Sequence, residues 1–183
     1  MEPITDLPQE LIEDSQSRWD AFCSAAKHGD ISLWDDSEFI KVSKRVFAFS
    51  HFVAGSCTIN PALLADLVQR GDLHRKYPTD HYNHKLKKSL SGLYELQQED
   101  KLSFILRKFR LREMIRIAWR DLSGRADLSQ TMADLSALAH ACIHQTLLLL
   151  YEWACRKYGI PTGYDGSPQT LLFWEWGNSA AGS

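Results

Sequence analysis

The sequence of 183 residues lacks the features that mark several classes of protein. It has no excess of basic charge, because 21 Lys and Arg oppose 23 Asp and Glu, so it is not typical of a general nucleic-acid binder. Its four cysteines show no C-x-x-C spacing and are expected to be reduced thiols. The acidic residues 1–14 have no apolar stretch and do not resemble a signal peptide.

Long apolar runs are also missing. The most apolar stretch, residues 146–155, is interrupted by Glu152, whereas a membrane span needs roughly 20 apolar residues. We therefore expect this stretch to be a buried helix segment. Together, these absences predict a cytoplasmic protein with neither a membrane nor a nucleic-acid partner.

Helical periodicity dominates what is present. Apolar residues recur at steps of three and four, and Asn, Asp, Pro and Gly stand where helices would begin and end. The predicted fold class is all-α, a bundle of about six helices spanning residues 7–27, 36–55, 61–70, 82–98, 101–122 and 128–158. Residues 169–173 are the only convincing strand, and one strand cannot form a sheet.

Two histidine pairs are candidate ligand sites. His140 and His144 share one face of the last helix at the spacing of a zinc pair, but no Glu follows the first of them and no third ligand is recognisable. They are predicted to be structural. His81 and His84 fall at a predicted helix start, where a solvated polar cluster is expected. The sequence contains no P-loop, no G-x-G-x-x-G turn and no nucleophile triad, so we predict no catalytic, cofactor-binding or metal-binding residue.

The fifth predicted helix carries the most unusual pattern, because four basic residues follow one another at steps of four and share one side of the helix. This basic ridge consists of Lys108, Arg112, Arg116 and Arg120. An apolar stripe of Leu111, Ile115, Ala118 and Leu122 lies beside it. Like charges at this spacing repel by a few tenths of a kcal/mol per pair, so the ridge needs anionic partners.

Two interpretations of the ridge remain open. It is either a row of surface ion pairs, with Glu113 and Asp121 as local partners, or a docking face for phosphate or an acidic protein surface. Under both, Trp119 is expected to be buried and the ridge to face away from it. If the ridge is a row of surface ion pairs, Arg116→Ala should lower the free energy of unfolding by under about 1 kcal/mol.

Several segments resemble one known family. Residues 45–73, 109–143, 147–161 and 168–173 are similar to the start of the bacterial bifunctional glutamine synthetase adenylyltransferase/adenylyl-removing enzymes. REMIRIAWRDL, residues 112–122, is the most specific part, and the resemblance covers about residues 40 to 173.

The resemblance implies a nucleotidyltransferase activity in nitrogen regulation. In this family the N-terminal half removes AMP from a tyrosine of glutamine synthetase by phosphorolysis, the C-terminal half attaches AMP from ATP, and nitrogen signal proteins set the balance. A helical region precedes each catalytic sheet, which carries a Gly-rich turn and an Asp-x-Asp pair that holds magnesium. The implied organisation is a helical region at 1–160, the start of the sheet at 161–173 and a tail at 174–183.

The chain departs from the family after Phe173. Where the family continues Gly-Met-Gly-Lys-Leu-Gly-Gly-Arg-Glu, this chain reads WEWGNSAAGS. Permitted codons for these ten residues, read from their third base, encode the missing family motif. We therefore infer a frameshift after Phe173, and we expect a poorly packed tail at 174–183 and a fragment that is inactive by itself.

Other functions stay open at this stage. The chain could be a stand-alone helical module that docks glutamine synthetase or a nitrogen signal protein through the basic ridge. A weaker option is a metal-binding helical protein that uses His140 and His144. ATP and magnesium are implied only for the full-length family.

Overall fold

The computed structural model describes residues 9–32, 36–78, 80–93 and 98–169, and within them it contains seven α-helices and no strand. The all-α prediction is confirmed. The helices are α1 (Gln9–His28), α2 (Ser37–Phe49), α3 (His51–Ile59), α4 (Pro61–Gln69), α5 (His81–Leu90), α6 (Glu99–Leu122) and α7 (Leu128–Tyr158).

The predicted helix 36–55 is wrong as a single element, because Ser50 divides it into α2 and α3. Ser50 is extended, with φ −136° and ψ 96°. Its backbone N–H donates to the Val46 carbonyl to end α2, and its side-chain oxygen accepts from the Val53 N–H at 3.2 Å to begin α3. Serine is a favoured N-cap residue. The apolar spacing continues across Ser50, so periodicity alone gave no sign of the break.

Of the other predicted boundaries, those of α7 are confirmed and the end of α5 is wrong. Asp127 caps α7 as expected, its carboxylate accepting from the Gln130 N–H at 2.7 Å, and α7 ends at Gly159, whose φ of +87° suits glycine. By contrast, α5 ends at Leu90 instead of 98. Residues 170–173 of the predicted strand and the tail 174–183 lie outside the described residues.

The buried apolar side chains form two clusters, and α6 contributes to both. The first core joins α1–α4 to one side of α6, and the second joins α5 and α7 to another side. Ile115 and Trp119 belong to the first core, whereas Phe109 and Ile117 belong to the second. The predicted apolar stripe of α6 packs against the first core, as expected. Helix α6 therefore connects the two cores of the bundle.

Helix α7 is more exposed than the sequence predicts. Within residues 146–155 only Trp153 is buried, and Leu148 is 52% exposed, so the expected buried segment is half-exposed instead. By length and composition, α7 is the one helix in the described ranges that could cross a membrane. Core helices of soluble proteins meet the same criterion, and α7 packs on α5 and α6, so this criterion assigns no membrane span.

Trp119 is buried as predicted, stacked on Phe39 with ring centroids 5.7 Å apart and edge-on to Phe47 at 6.2 Å. Trp119→Ala should therefore lower the free energy of unfolding by about 3–5 kcal/mol, because it empties a large site in the first core. Phe104→Ala is the matched control, since Phe104 lies on the same helix and is 61% exposed. This control should lower the free energy of unfolding by no more than about 1 kcal/mol, as measured by urea denaturation followed by circular dichroism. Similar losses for both variants would contradict this arrangement.

Candidate functional site: the arginine ladder of α6

The basic ridge predicted to face solvent is largely buried. Lys108 is exposed, but Arg112, Arg116 and Arg120 retain only 9%, 0% and 3% of their accessible surface. We call these three residues the arginine ladder. The expectation that the ridge lies at the surface, which both interpretations share, is therefore wrong for three of its four members.

Helix geometry explains the burial. The ladder row lies about 100° around the helix from the row of Ile115 and Trp119, and about 100° in the other direction from the row of Phe109 and Ile117. These flanking rows enter different cores. A polar row between two faces that pack into different cores is covered by the same neighbours. The positions of Phe109 and Ile117 in the sequence are the signal that could have predicted this burial.

Arg112 binds three carboxylates. Its Nε donates to Asp66 of α4 at 2.6 Å, its Nη2 to Asp72 at 2.6 Å and its Nη1 to Glu113 at 2.8 Å. Asp66 and Asp72 lie 46 and 40 residues away along the chain. Of the two partners predicted from sequence, Glu113 is confirmed, whereas Asp121 accepts a hydrogen bond from Thr131 at 3.0 Å.

Arg116 binds backbone as well as side chains. Its Nε donates to the Asp72 carbonyl at 3.0 Å and its Nη2 to the Arg75 carbonyl. Its Nη1 donates to the Tyr82 hydroxyl at 3.1 Å and to Asp134 of α7 at 3.4 Å. The guanidinium also lies 3.4 Å from the centroid of the Tyr77 ring. Planar donors on a delocalised cation suit this combination of stacking and hydrogen bonding.

Arg120 completes the ladder at the end of α6. Its Nη1 donates to the Leu73 carbonyl at 3.5 Å, and its Nη2 donates to the Arg125 carbonyl at 3.2 Å. Burial, together with repulsion from Arg116, lowers the pKa of Arg120. Arg116 and Arg120 therefore hold three carbonyls of the segment between α4 and α5, which we call the 70–78 loop.

Cations and carboxylates pair throughout the network. Lys85 of α5 donates to Glu113 at 2.7 Å and lies 3.8 Å from Asp72. Arg70 pairs with Asp66, whereas Arg120 binds backbone carbonyls. Four cations thus pair with four carboxylates: Arg70, Lys85, Arg112 and Arg116 with Asp66, Asp72, Glu113 and Asp134. Buried charges are tolerated when they are paired and hydrogen-bonded.

The pKa values of the carboxyls follow from this pairing. Burial by itself would raise the pKa of Asp66, but hydrogen bonds from Arg70 and Arg112 outweigh it and hold that pKa below its ordinary value. The pKa of Asp72 is lowered in the same way, because hydrogen bonds from Arg112 and Tyr77 outweigh the effect of burial. Both carboxylates are therefore charged at neutral pH and are committed to the ladder.

The two histidine pairs differ. The rings of His140 and His144 are stacked with centroids 5.3 Å apart, and both are partly buried. No group of three His, Cys, Asp or Glu able to hold a metal ion occurs in the described part of the chain. The structural role of the pair stays a prediction. At the start of α5, His81 stacks on Tyr77 with ring centroids 3.7 Å apart and is partly buried, whereas His84 is exposed. The expectation of a solvated cluster is therefore confirmed for His84 and wrong for His81.

The implied magnesium does not fit the described residues. The carboxylates of the ladder network are bound by arginine or lysine, as the distances above show, and they do not form a free pair. What the site does is hold a loop: it fixes the backbone of residues 72–75 against α6. The fold and site thus define a helical region in which buried arginines hold a surface loop.

Comparison with known proteins places this helical region in a family. A family model described as glutamate-ammonia ligase adenylyltransferase matches residues 40–179, more than half of the chain. The chain belongs to this family. The match extends beyond Phe173 into the tail, so the inferred frameshift stays a prediction.

Curated relatives agree with the family model. A bifunctional glutamine synthetase adenylyltransferase/adenylyl-removing enzyme of Nitrosococcus oceani is 39% identical over 82% of this chain and 15% of that protein. Enzymes with the same description from Pseudomonas aeruginosa and Shewanella loihica are each 34% identical, over 92% and 91% of this chain and 18% and 17% of theirs. The chain therefore spans less than a fifth of the length of these relatives.

Burial reverses the expectation for Arg116. Arg116→Ala should lower the free energy of unfolding by about 3–5 kcal/mol, because it leaves buried Asp134 and several carbonyls without their donor. Lys108→Ala, on the exposed end of the same ridge, should change stability by no more than about 0.5 kcal/mol. Arg116→Lys should recover little of the stability lost in Arg116→Ala, since an ammonium group cannot reproduce the planar set of guanidinium donors. Chemical denaturation measures all three, and equal losses at Lys108 and Arg116 would contradict the ladder.

Acid should weaken the same network. A carboxyl whose pKa is lower in the folded chain stabilises the fold above its unfolded-state pKa and loses that contribution as pH falls through the folded-state pKa. Because the pKa of Asp72 is held below the ordinary value of 3.8, the free energy of unfolding should decline as pH drops below about 4. The decline should be shallower in Asp72→Asn. Urea titrations from pH 7 to pH 3 test this, and parallel curves would refute it.

Proposed function

We propose that this chain is a helical region of an enzyme that adds AMP to, and removes it from, glutamine synthetase. Membership of the family and the activities for which the relatives are named support this assignment. In this proposal ATP, magnesium and a nitrogen signal protein belong to the whole enzyme, which acts in the cytoplasm.

The region supports catalysis without performing it. One observation carries this part of the proposal: the buried carboxylates of the described residues are bound by cations of the same chain. Magnesium catalysis of phosphoryl transfer requires carboxylates free to hold the metal. Releasing Asp72 for that purpose would remove one of the three carboxylates that Arg112 binds, and releasing Glu113 would remove the nearer of the two carboxylates beside Lys85.

A stand-alone docking module is the second candidate. The ladder cannot supply its contact surface, because Arg112, Arg116 and Arg120 are buried. The exposed cations around the 70–78 loop favour this candidate instead, and docking is compatible with the first proposal.

Turnover assays test the proposal. The purified 183-residue chain should neither transfer AMP to glutamine synthetase with ATP and magnesium, nor release AMP from the modified enzyme with phosphate. The full-length Pseudomonas aeruginosa relative serves as the positive control. Transfer is read by mass spectrometry of the glutamine synthetase tyrosine. Clear turnover by the 183-residue chain in either direction would refute the supporting role.

A further inference from the structure

The 70–78 loop and the turn between α6 and α7 together form an exposed cationic surface. This surface consists of His74, Arg75, Lys76 and Arg125. Arg125 Nη1 lies 2.7 Å from His74 Nδ1 and donates to it, which joins the two segments although they are 51 residues apart. The imidazole is therefore neutral, with Nδ1 as the acceptor.

Within the described parts of the chain, the cations of this surface have no carboxylate partner. Among the described residues no carboxylate forms an ion pair with Arg75, Lys76 or Arg125. Asp72, the acidic residue within the loop, is turned inward to Arg112. The whole chain has a net charge of −2, so the positive charge here is a local feature.

The arginine ladder holds this surface in place. Arg116 donates to the Arg75 carbonyl, and Arg120 donates to the carbonyls of Leu73 and Arg125. Each segment of the surface is thus bound through its backbone to a buried cation, while its own charged side chains point to solvent. A surface fixed in advance loses less entropy on binding.

We infer that the cationic surface docks an acidic face of glutamine synthetase. The inference rests on the proposed function for the choice of partner, and on charge complementarity for the choice of surface. The residues of this surface line neither of two cavities, of about 490 and 290 Å³, so neither cavity would enclose a small anion here. Nucleic acid is disfavoured because the chain has a pI near 6.4.

His74 provides a reporter within the surface. Burial, and then the charges of Arg125 and Arg120, lower its pKa. A carboxylate brought next to His74 would offset those charges and shift the ring resonances. The effect is local to the surface and is visible by NMR without relying on an activity.

Charge reversal tests the inference. The double variant Arg75→Glu/Lys76→Glu should bind glutamine synthetase from the same organism about 10–100-fold more weakly than the unmodified chain at low salt. Lys87→Glu/Lys88→Glu is the matched control, because it makes the same charge change on exposed residues of α5. The control should weaken binding by less than about threefold, and the His74 resonances should move only in proteins that bind. Circular dichroism checks that each variant is folded.

Several outcomes would overturn the docking surface. They are no binding of glutamine synthetase by the unmodified chain, equal affinity of the two double variants, or binding without a change at His74. Tighter binding to a DNA duplex, lost in the same loop variant, would assign the surface to nucleic acid instead. None of these results alters the turnover assay, so failure of the docking surface and failure of the proposed function are distinguishable.

Discussion

The arrangement of α5, α6 and α7 depends on satisfying one fully buried cation, Arg116. An unpaired guanidinium in an apolar interior costs several kcal/mol, so the chain must bring acceptors to it. Those acceptors come from the 70–78 loop, Tyr82 on α5 and Asp134 on α7. Any register that misplaces one of these elements leaves a buried donor without a partner. The network therefore selects one packing among the many that apolar contacts alone would allow.

The position of the ladder between two cores links packing to surface. Ile115 and Trp119 tie α6 to α1–α4, whereas Phe109 and Ile117 tie it to α5 and α7. The arginines between these rows hold the loop carbonyls. A change in either core that rotates α6 would therefore move the exposed cations of the loop, although none of them contacts the core. Stability and the position of the cationic surface therefore depend on the same helix.

Sequence reasoning recovered the elements whose cause is local. The caps at Asp127 and Gly159 follow from neighbours within a turn or two, and the burial of Trp119 was predicted from the apolar stripe beside it on the same helix; these predictions are confirmed. The partners of Arg112 were missed because Asp66 and Asp72 lie at least 40 residues from it. No periodicity within the helix reveals such partners. The surface of His74 and Arg125 was missed for the same reason, because it exists only after two distant segments meet.

Ser50 has a consequence for how this part of the chain tolerates change in length. It is the sole residue between α2 and α3, and it serves both as the C-cap of one and as the N-cap of the other. Inserting a residue there would separate the two roles and change the direction in which α3 leaves α2. Val53, Ala54 and Cys57 would then leave the first core. Relatives should differ at this corner by substitution, and insertions or deletions should accumulate elsewhere.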